Sequence, residues 1–179
     1  MMLADFIIYG ILAGWVTGGK LGYLKQIKMP FFWLIIVGFL VRYVVLALFP
    51  ADFIWLTLVG MSVVFIATTL SYRLPGMLLI AAGTMCNIAV MAVNQGRMPV
   101  SLPLARQLGL GALVERFYAG HFPDYVAMTS ATPLAWLGDI VPYYSLLYVQ
   151  PFVVSIGDYL LGIGIIWFLV QAMNGRRGR

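Results

Sequence analysis

Five stretches of this sequence run almost free of charge: Met2–Thr17, Phe31–Phe49, Phe53–Tyr72, Gly76–Val93 and Phe152–Met173. An apolar helix needs about 20 residues to cross the hydrocarbon core of a bilayer, and these runs approach or reach that length. Nothing else in the chain constrains its fold as strongly. Across all 179 residues, 63% are hydrophobic and 9% charged, against roughly 25% charged in a soluble domain. The 11 Lys and Arg and 6 Asp and Glu are too few to cover the surface of a water-soluble domain of this size. A mean hydropathy of +0.97 therefore excludes a cytosolic enzyme, a disordered tail and a nucleic-acid module. The expected fold class is an all-α integral membrane protein with about five transmembrane helices. It forms a single membrane domain over residues 1–179, with residues 94–151 as an outer-face, partly membrane-associated segment.

Charge sets the expected orientation, because basic residues accumulate in cytoplasmic loops. Lys20, Lys25 and Lys28 lie between runs one and two, Arg73 between three and four, and Arg176, Arg177 and Arg179 at the end. Five crossings put all of these on one side, the cytoplasm. The other side receives Asp5, Asp52, Glu115, Asp124 and Asp139, with Arg97, Arg106 and Arg116. The N-terminus is then outside and the C-terminus cytoplasmic, in a multi-pass protein; the bacterial plasma membrane is what the family resemblance described below implies. Tyr118, Tyr125, Trp136, Tyr143, Tyr144 and Tyr148 are expected at headgroup level. Leu104–Tyr118 is expected as an amphipathic helix on the membrane. No basic residue precedes the first apolar run and Asp5 interrupts it, unlike a cleavable signal peptide.

Several motifs fail on inspection. Gly14–Lys20 has the glycine and lysine spacing of a phosphate loop but continues with Leu21 instead of Ser or Thr, and it follows an apolar helix. Gly10, Gly14 and Gly18 recur every four residues, which suits close helix packing. Cys86 is alone in an apolar run, so neither a disulfide nor a thiolate cluster is expected. His121 with Asp124 offers at most half of a metal site, so no metal and no cofactor is expected. His121 stays a candidate for proton handling.

The informative residues are the ionisable ones inside apolar runs, which are costly there and by default suggest function. Asp158 falls about six residues into the last run, roughly 9 Å below its outer boundary, and Arg42 at a similar depth in the second. One reading pairs them as a helix-joining salt bridge. The other starts from Asp139, nineteen residues before Asp158: a dipping segment would bring the two carboxyl groups together. Two adjacent carboxylates do not both ionise, so one keeps a proton. Such a pair activates a water with one member and protonates a leaving amide with the other.

The residues around this pair resemble the catalytic end of the bacterial lipoprotein signal peptidases (signal peptidase II). That family carries a first aspartate, then a Phe-Asn-x-Ala-Asp pattern at the outer end of its last helix, then a glycine six residues on. Here the sequence has Asp139-Ile140, Val154-Ser155-Ile156-Gly157-Asp158 and Gly164. The resemblance implies Asp139 and Asp158 as the catalytic pair, with Ser155 in the place of the asparagine. The family's Asn-x-x-Asp-Arg element has no counterpart in Ala127–Ala131, and the family has four spans where five are expected here. Over most of its length the chain is similar to an uncharacterised family of small bacterial membrane proteins. The matching features are Gly18-Gly19-Lys20-Leu21, Asn94 to Val100 with Met98-Pro99, Leu137-Gly138-Asp139 and Ser155-Ile156-Gly157-Asp158. That similarity adds Asn94 and His121 to Arg42 and Ser155 as candidate substrate- or lipid-binding residues. Two functions stay open: a membrane-embedded aspartyl hydrolase, and a non-catalytic accessory subunit with an Arg42–Asp158 pair. The expected partners are membrane lipids and a membrane-protein substrate or partner subunit, with no nucleic acid.

Overall fold

The computed structural model describes residues 2–29, 31–48 and 54–175. Asp52, Arg176, Arg177 and Arg179, used above to orient the chain, lie outside the described residues. The apolar runs become helices α1 (Met2–Val16), α2 (Phe32–Leu48), α3 (Leu56–Leu70), α4 (Met77–Val93) and α7 (Ile156–Met173). Of the helices among the described residues, Ile156–Met173 is long and apolar enough to cross a membrane by length and composition. The other four are equally apolar and somewhat shorter.

The helices pack in the spatial order α2, α3, α4, α7, α1, so the last helix of the chain sits between the fourth and the first. Glycines set these contacts. Gly38 of α2 lies against Gly60 of α3; Gly83 of α4 and Gly76, the residue that precedes α4, lie against Gly157 and Gly164 of α7. With no Cβ at either side, the backbones approach more closely than larger residues permit. Of the repeat Gly10, Gly14 and Gly18, two pack inside the molecule, Gly10 against Ile166 and Leu169 and Gly14 against Met173, whereas Gly18 lies beyond α1 and a Cβ there would meet nothing within 4 Å. The α2 and α7 helices are not neighbours.

Between α4 and α7 the chain is not all helical, and this corrects the all-α expectation. It forms β1 (Met98–Val100), α5 (Leu102–Gln107), α6 (Gly111–Tyr118), β2 (Tyr125–Ala127), a 3-10 turn at Ala135–Leu137, β3 (Val141–Ser145) and β4 (Gln150–Val154). Strands β1 and β2 pair in parallel, and Asp139 bridges to Val100 on the other side of β1. Strands β3 and β4 form an antiparallel hairpin with Val141 opposite Val154. Apolar residues concealed the strands, because a short apolar run reads equally as strand or buried helix.

The expected continuous helix over Leu104–Tyr118 is also corrected. Leu110 N–H donates to Ala105 O (3.0 Å) across Gly109, whose φ of +79° terminates α5. Leu102, Ala105 and Val114 then turn inward onto Val100. Of the tyrosines expected at headgroup level, Tyr118 and Tyr144 are exposed, whereas Tyr143 is buried against Phe6.

The two ends of the helix layer differ. At one end Lys20 N–H donates to Met173 O (2.8 Å) and Asn174 Nδ2 donates to Thr17 Oγ1 (2.8 Å), bringing the Lys20–Lys25 segment beside the end of α7. At the other end buried Asp5 accepts from Ser145 Oγ (3.0 Å) and Leu147 N–H (3.2 Å), which fastens the hairpin to α1.

Candidate functional site

Strand β4 runs directly into α7, and this junction moves Asp158. The last helix starts at Ile156, so Asp158 occupies its first turn instead of lying six residues deep. Ser155 is the N-cap: Asp158 N–H donates to Ser155 Oγ (3.0 Å), and Ser155 N–H donates back to Asp158 Oδ2 (3.3 Å). This reciprocal capping box satisfies two backbone donors that the helix leaves unpaired.

A residue outside the sequence-derived site completes the arrangement. Asn87 of α4 donates from Nδ2 to Asp158 Oδ1 (2.8 Å) and accepts at Oδ1 from Ser155 Oγ (2.9 Å). Gly157 makes room for it, since a Cβ there would strike the Asn87 amide oxygen. The sequence does carry a signal for it, a carboxamide in the middle of an apolar run.

Asp139 reaches the same place from the sheet. Its N–H donates to Pro99 O (2.8 Å) and its carbonyl accepts from Ser101 N–H (2.9 Å), fixing the backbone beside β1. The next residue, Ile140, donates to Val154 O (3.1 Å), so the hairpin returns the chain from Asp139 to the cap of α7. Asp139 is 4% exposed and its Oδ1 has no hydrogen-bond partner among the described residues. Burial, and after it the charge of Asp158, push its carboxyl well above the usual carboxylate range; Arg42 opposes this. Burial and the neighbouring aspartates likewise raise the Tyr125 hydroxyl.

Asp139, Asp158, Asn87, Tyr125 and Arg42 line one cavity of about 770 Å³. The rest of its wall is largely apolar, with Phe39, Leu113, Phe117, Phe122, Phe152 and Leu161. Residues between Gly109 and Phe117, residues of α2, α3, α4 and α7, and strand β4 all contribute to its wall. A concave apolar chamber with a few converging polar groups is the usual form of a ligand site.

The expected Arg42–Asp158 salt bridge is corrected. Arg42 Nη2 lies 3.6 Å from Asp124 Oδ2, and Nη1 is 3.3 Å from Met61 Sδ. The reason is packing: α2 rests on α3, not on α7, and the Asp158 oxygens are already occupied by Asn87 and the cap. Burial raises the Asp124 carboxyl, and Arg42 draws it back down. Neither Asp139 nor Asp158 has an ion-pair partner among the described residues. The cavity wall does not include Asn94, His121 or buried Ser155. Asn94 closes α4, donating to Val90 O (2.7 Å) and Pro133 O (3.1 Å), and His121 Nδ1 sits 3.2 Å from Arg116 O at an exposed position.

Comparison with known families matches residues 26–170 to the family of unknown function DUF5317. The chain belongs to DUF5317. That match takes in the polar residues of the cavity, from Arg42 on α2 to Asp158 on α7, and leaves outside it α1, which adds Leu3 to the wall. An uncharacterized protein of Thermotoga maritima is 34% identical over 101 residues, 55% of this chain and 52% of the relative. The chain thus spans about half the length of that relative. No solved structure matches.

Proposed function

We propose that this DUF5317 protein is a membrane-embedded aspartyl peptidase of the bacterial plasma membrane, acting near the outer leaflet. The observation that carries the reading is the shared cavity: two aspartates from distant segments wall it without an ion-pair partner, and the arginine that would have neutralised Asp158 is engaged elsewhere. Hydrolysis then needs one water and the pair. One aspartate takes a proton from the water, the oxygen adds to the amide carbon, and the other aspartate gives its proton to the departing nitrogen as the C–N bond breaks. The resemblance of Asp139-Ile140 and Val154 to Asp158 to the signal peptidase II pattern agrees with this chemistry.

The apolar helices support the membrane setting. Trp15, Phe32, Trp33, Leu40, Leu48, Leu70, Leu78 and Trp167 project large side chains outward, which lipid accommodates and water does not. Helices of 15 to 18 residues span about 22 to 27 Å, close to the hydrocarbon thickness of about 30 Å. With Lys20, Lys25 and Lys28 at one end and the cavity toward the other, the positive-inside rule places the cavity on the outer side.

The test is a comparison of membrane-protein N-termini in bacteria expressing the wild type, Asp139→Asn or Asp158→Asn. New N-termini beside apolar segments, present with the wild type alone, support the peptidase. Identical sets in all three strains, at equal protein levels, overturn it.

A further inference from the structure

The site treats its two aspartates unequally, and Asn87 is the reason. Asp158 is used purely as an acceptor: Oδ1 takes the Asn87 amide proton at 2.8 Å and Oδ2 takes the Ser155 amide proton at 3.3 Å. Acceptance at both oxygens favours the carboxylate, because a protonated carboxyl keeps less acceptor capacity and needs an acceptor for its own O–H, which none of the bonds described supplies. The Asn87 amide cannot turn over without loss, because its own oxygen accepts from Ser155 Oγ at 2.9 Å. The Ser155 hydroxyl is oriented in turn by accepting from Asp158 N–H at 3.0 Å. Asp139 has the opposite environment. It is 4% exposed, and its buried Oδ1 meets no donor.

We infer that Asn87 is a positioning residue that assigns the shared proton to Asp139 and leaves Asp158 as the group that activates water. This rests on the peptidase reading for its catalytic meaning, but the proton's location can be read without catalysis. The charged and titratable groups facing Asp139 are Asp158 on α7, Arg42 on α2, Asp124 ahead of β2 and Tyr125 on β2. Arg42 favours loss of the proton, while burial and the two carboxylates favour its retention. The inference also gives the site a direction. The attacking water lies on the α7 side, and the leaving nitrogen faces the sheet beside Pro99.

Dicyclohexylcarbodiimide tests this on the purified full chain in detergent micelles. The reagent enters apolar sites and adds to protonated carboxyl groups: the acid proton moves to a carbodiimide nitrogen, the carboxyl oxygen bonds to the central carbon, and rearrangement leaves an N-acylurea. Mapped by mass spectrometry across a pH series, the label is expected on Asp139 at neutral pH, with little on Asp158. In Asn87→Leu the Asp139:Asp158 ratio should fall by about tenfold or more, the worth of one hydrogen bond to a carboxylate. Ser155→Ala, which frees the Asn87 amide, should shift the ratio the same way and carries the comparison if Asn87→Leu does not fold. An infrared band of a protonated carboxyl, present at neutral pH and lost in Asp139→Asn, gives a reading independent of reagent access.

Label on Asp158 in the wild type, a ratio unmoved by either variant, or no Asp139-dependent infrared band overturns the inference. The two proposals fail separately. Proton on Asp139 with no cleavage in cells removes the peptidase and keeps the assignment; cleavage with the proton on Asp158 does the reverse.

Discussion

Asn87 and Asp158 lie 71 positions apart in sequence and meet at 2.8 Å through an amide-to-carboxylate hydrogen bond. That contact joins α4 to α7 where the two helices pack through Gly83 and Gly157, and it turns a helix cap into one wall of a cavity. Substitutions nearby should therefore report both on helix packing and on the chemistry proposed for the cavity.

Ser155 carries the cap. Ser155→Ala removes the acceptor for Asp158 N–H and the donor to Asn87, and should cost about 1 to 2 kcal/mol, the usual range for losing an N-cap. Ser155→Thr should recover most of the loss. Chemical unfolding of the purified protein in micelles, compared across the three chains, measures it.

Asp139 should give the protein an unusual pH dependence. Its folded carboxyl is raised above the unfolded value, which is about 3.9. Between those two values the folded state holds the extra proton, so the stability Asp139 contributes is complete in acid and lost as pH rises through the folded value. Asp139→Asn removes that loss. The variant should therefore melt at a higher temperature than the wild type in alkaline buffer, with the two curves converging below about pH 4. Parallel melting curves at every pH would contradict the assignment of a raised carboxyl.

Gly157 is required by contact. A methyl group there would meet the Asn87 amide oxygen and the Gly83 carbonyl oxygen, so Gly157→Ala forces α4 and α7 apart or displaces Asn87. Overpacking of this kind costs about 1 to 3 kcal/mol. Gly22→Ala, where an added methyl meets nothing within 4 Å, serves as the control in the same unfolding measurement.

Asp5 anchors the β3–β4 hairpin, whose tip carries Leu146 at 77% and Val149 at 87% exposure. Asp5→Ala deletes both hydrogen bonds to Ser145 and Leu147. Amide exchange at Leu147 and Tyr148 should accelerate by about tenfold or more, the equivalent of one lost hydrogen bond, while exchange in α4 stays unchanged. Equal rates in variant and wild type would mean that the hairpin holds itself.

The Arg42–Asp124 pair should contribute modestly. At 3.6 Å and partly exposed, it belongs with ion pairs worth about 1 kcal/mol or less. A double-mutant cycle with Arg42→Met and Asp124→Asn gives the coupling directly, and a value several times larger would mark the pair as shielded from water.

The helices were legible because apolar runs declare themselves locally: Phe31–Phe49 became Phe32–Leu48 and Gly76–Val93 became Met77–Val93. Asp158 stood out as a charge within an apolar run, whereas Ser155 entered only through its place in the signal peptidase II pattern and its role as the cap of α7 came from the structure. The strands were not legible. Phe152–Val154, the end of β4, reads as the start of an apolar helix until Val141–Ser145 is seen beside it, and pairing between segments is a property of the folded chain. The partner of Arg42 was undecidable for the same kind of reason. Depth in an apolar run says how costly a charge is, but which opposite charge it meets depends on helix order, and α7 packs between α4 and α1, away from α2. The sequence by itself determined which segments leave water and which residues pay an electrostatic penalty for doing so. Only the tertiary structure decided that Asn87 holds Asp158, that Asp124 takes Arg42, and that Asp139 is left buried at the cavity with an oxygen unpaired, because those choices follow from backbone approach at glycines and from a hairpin that links distant segments.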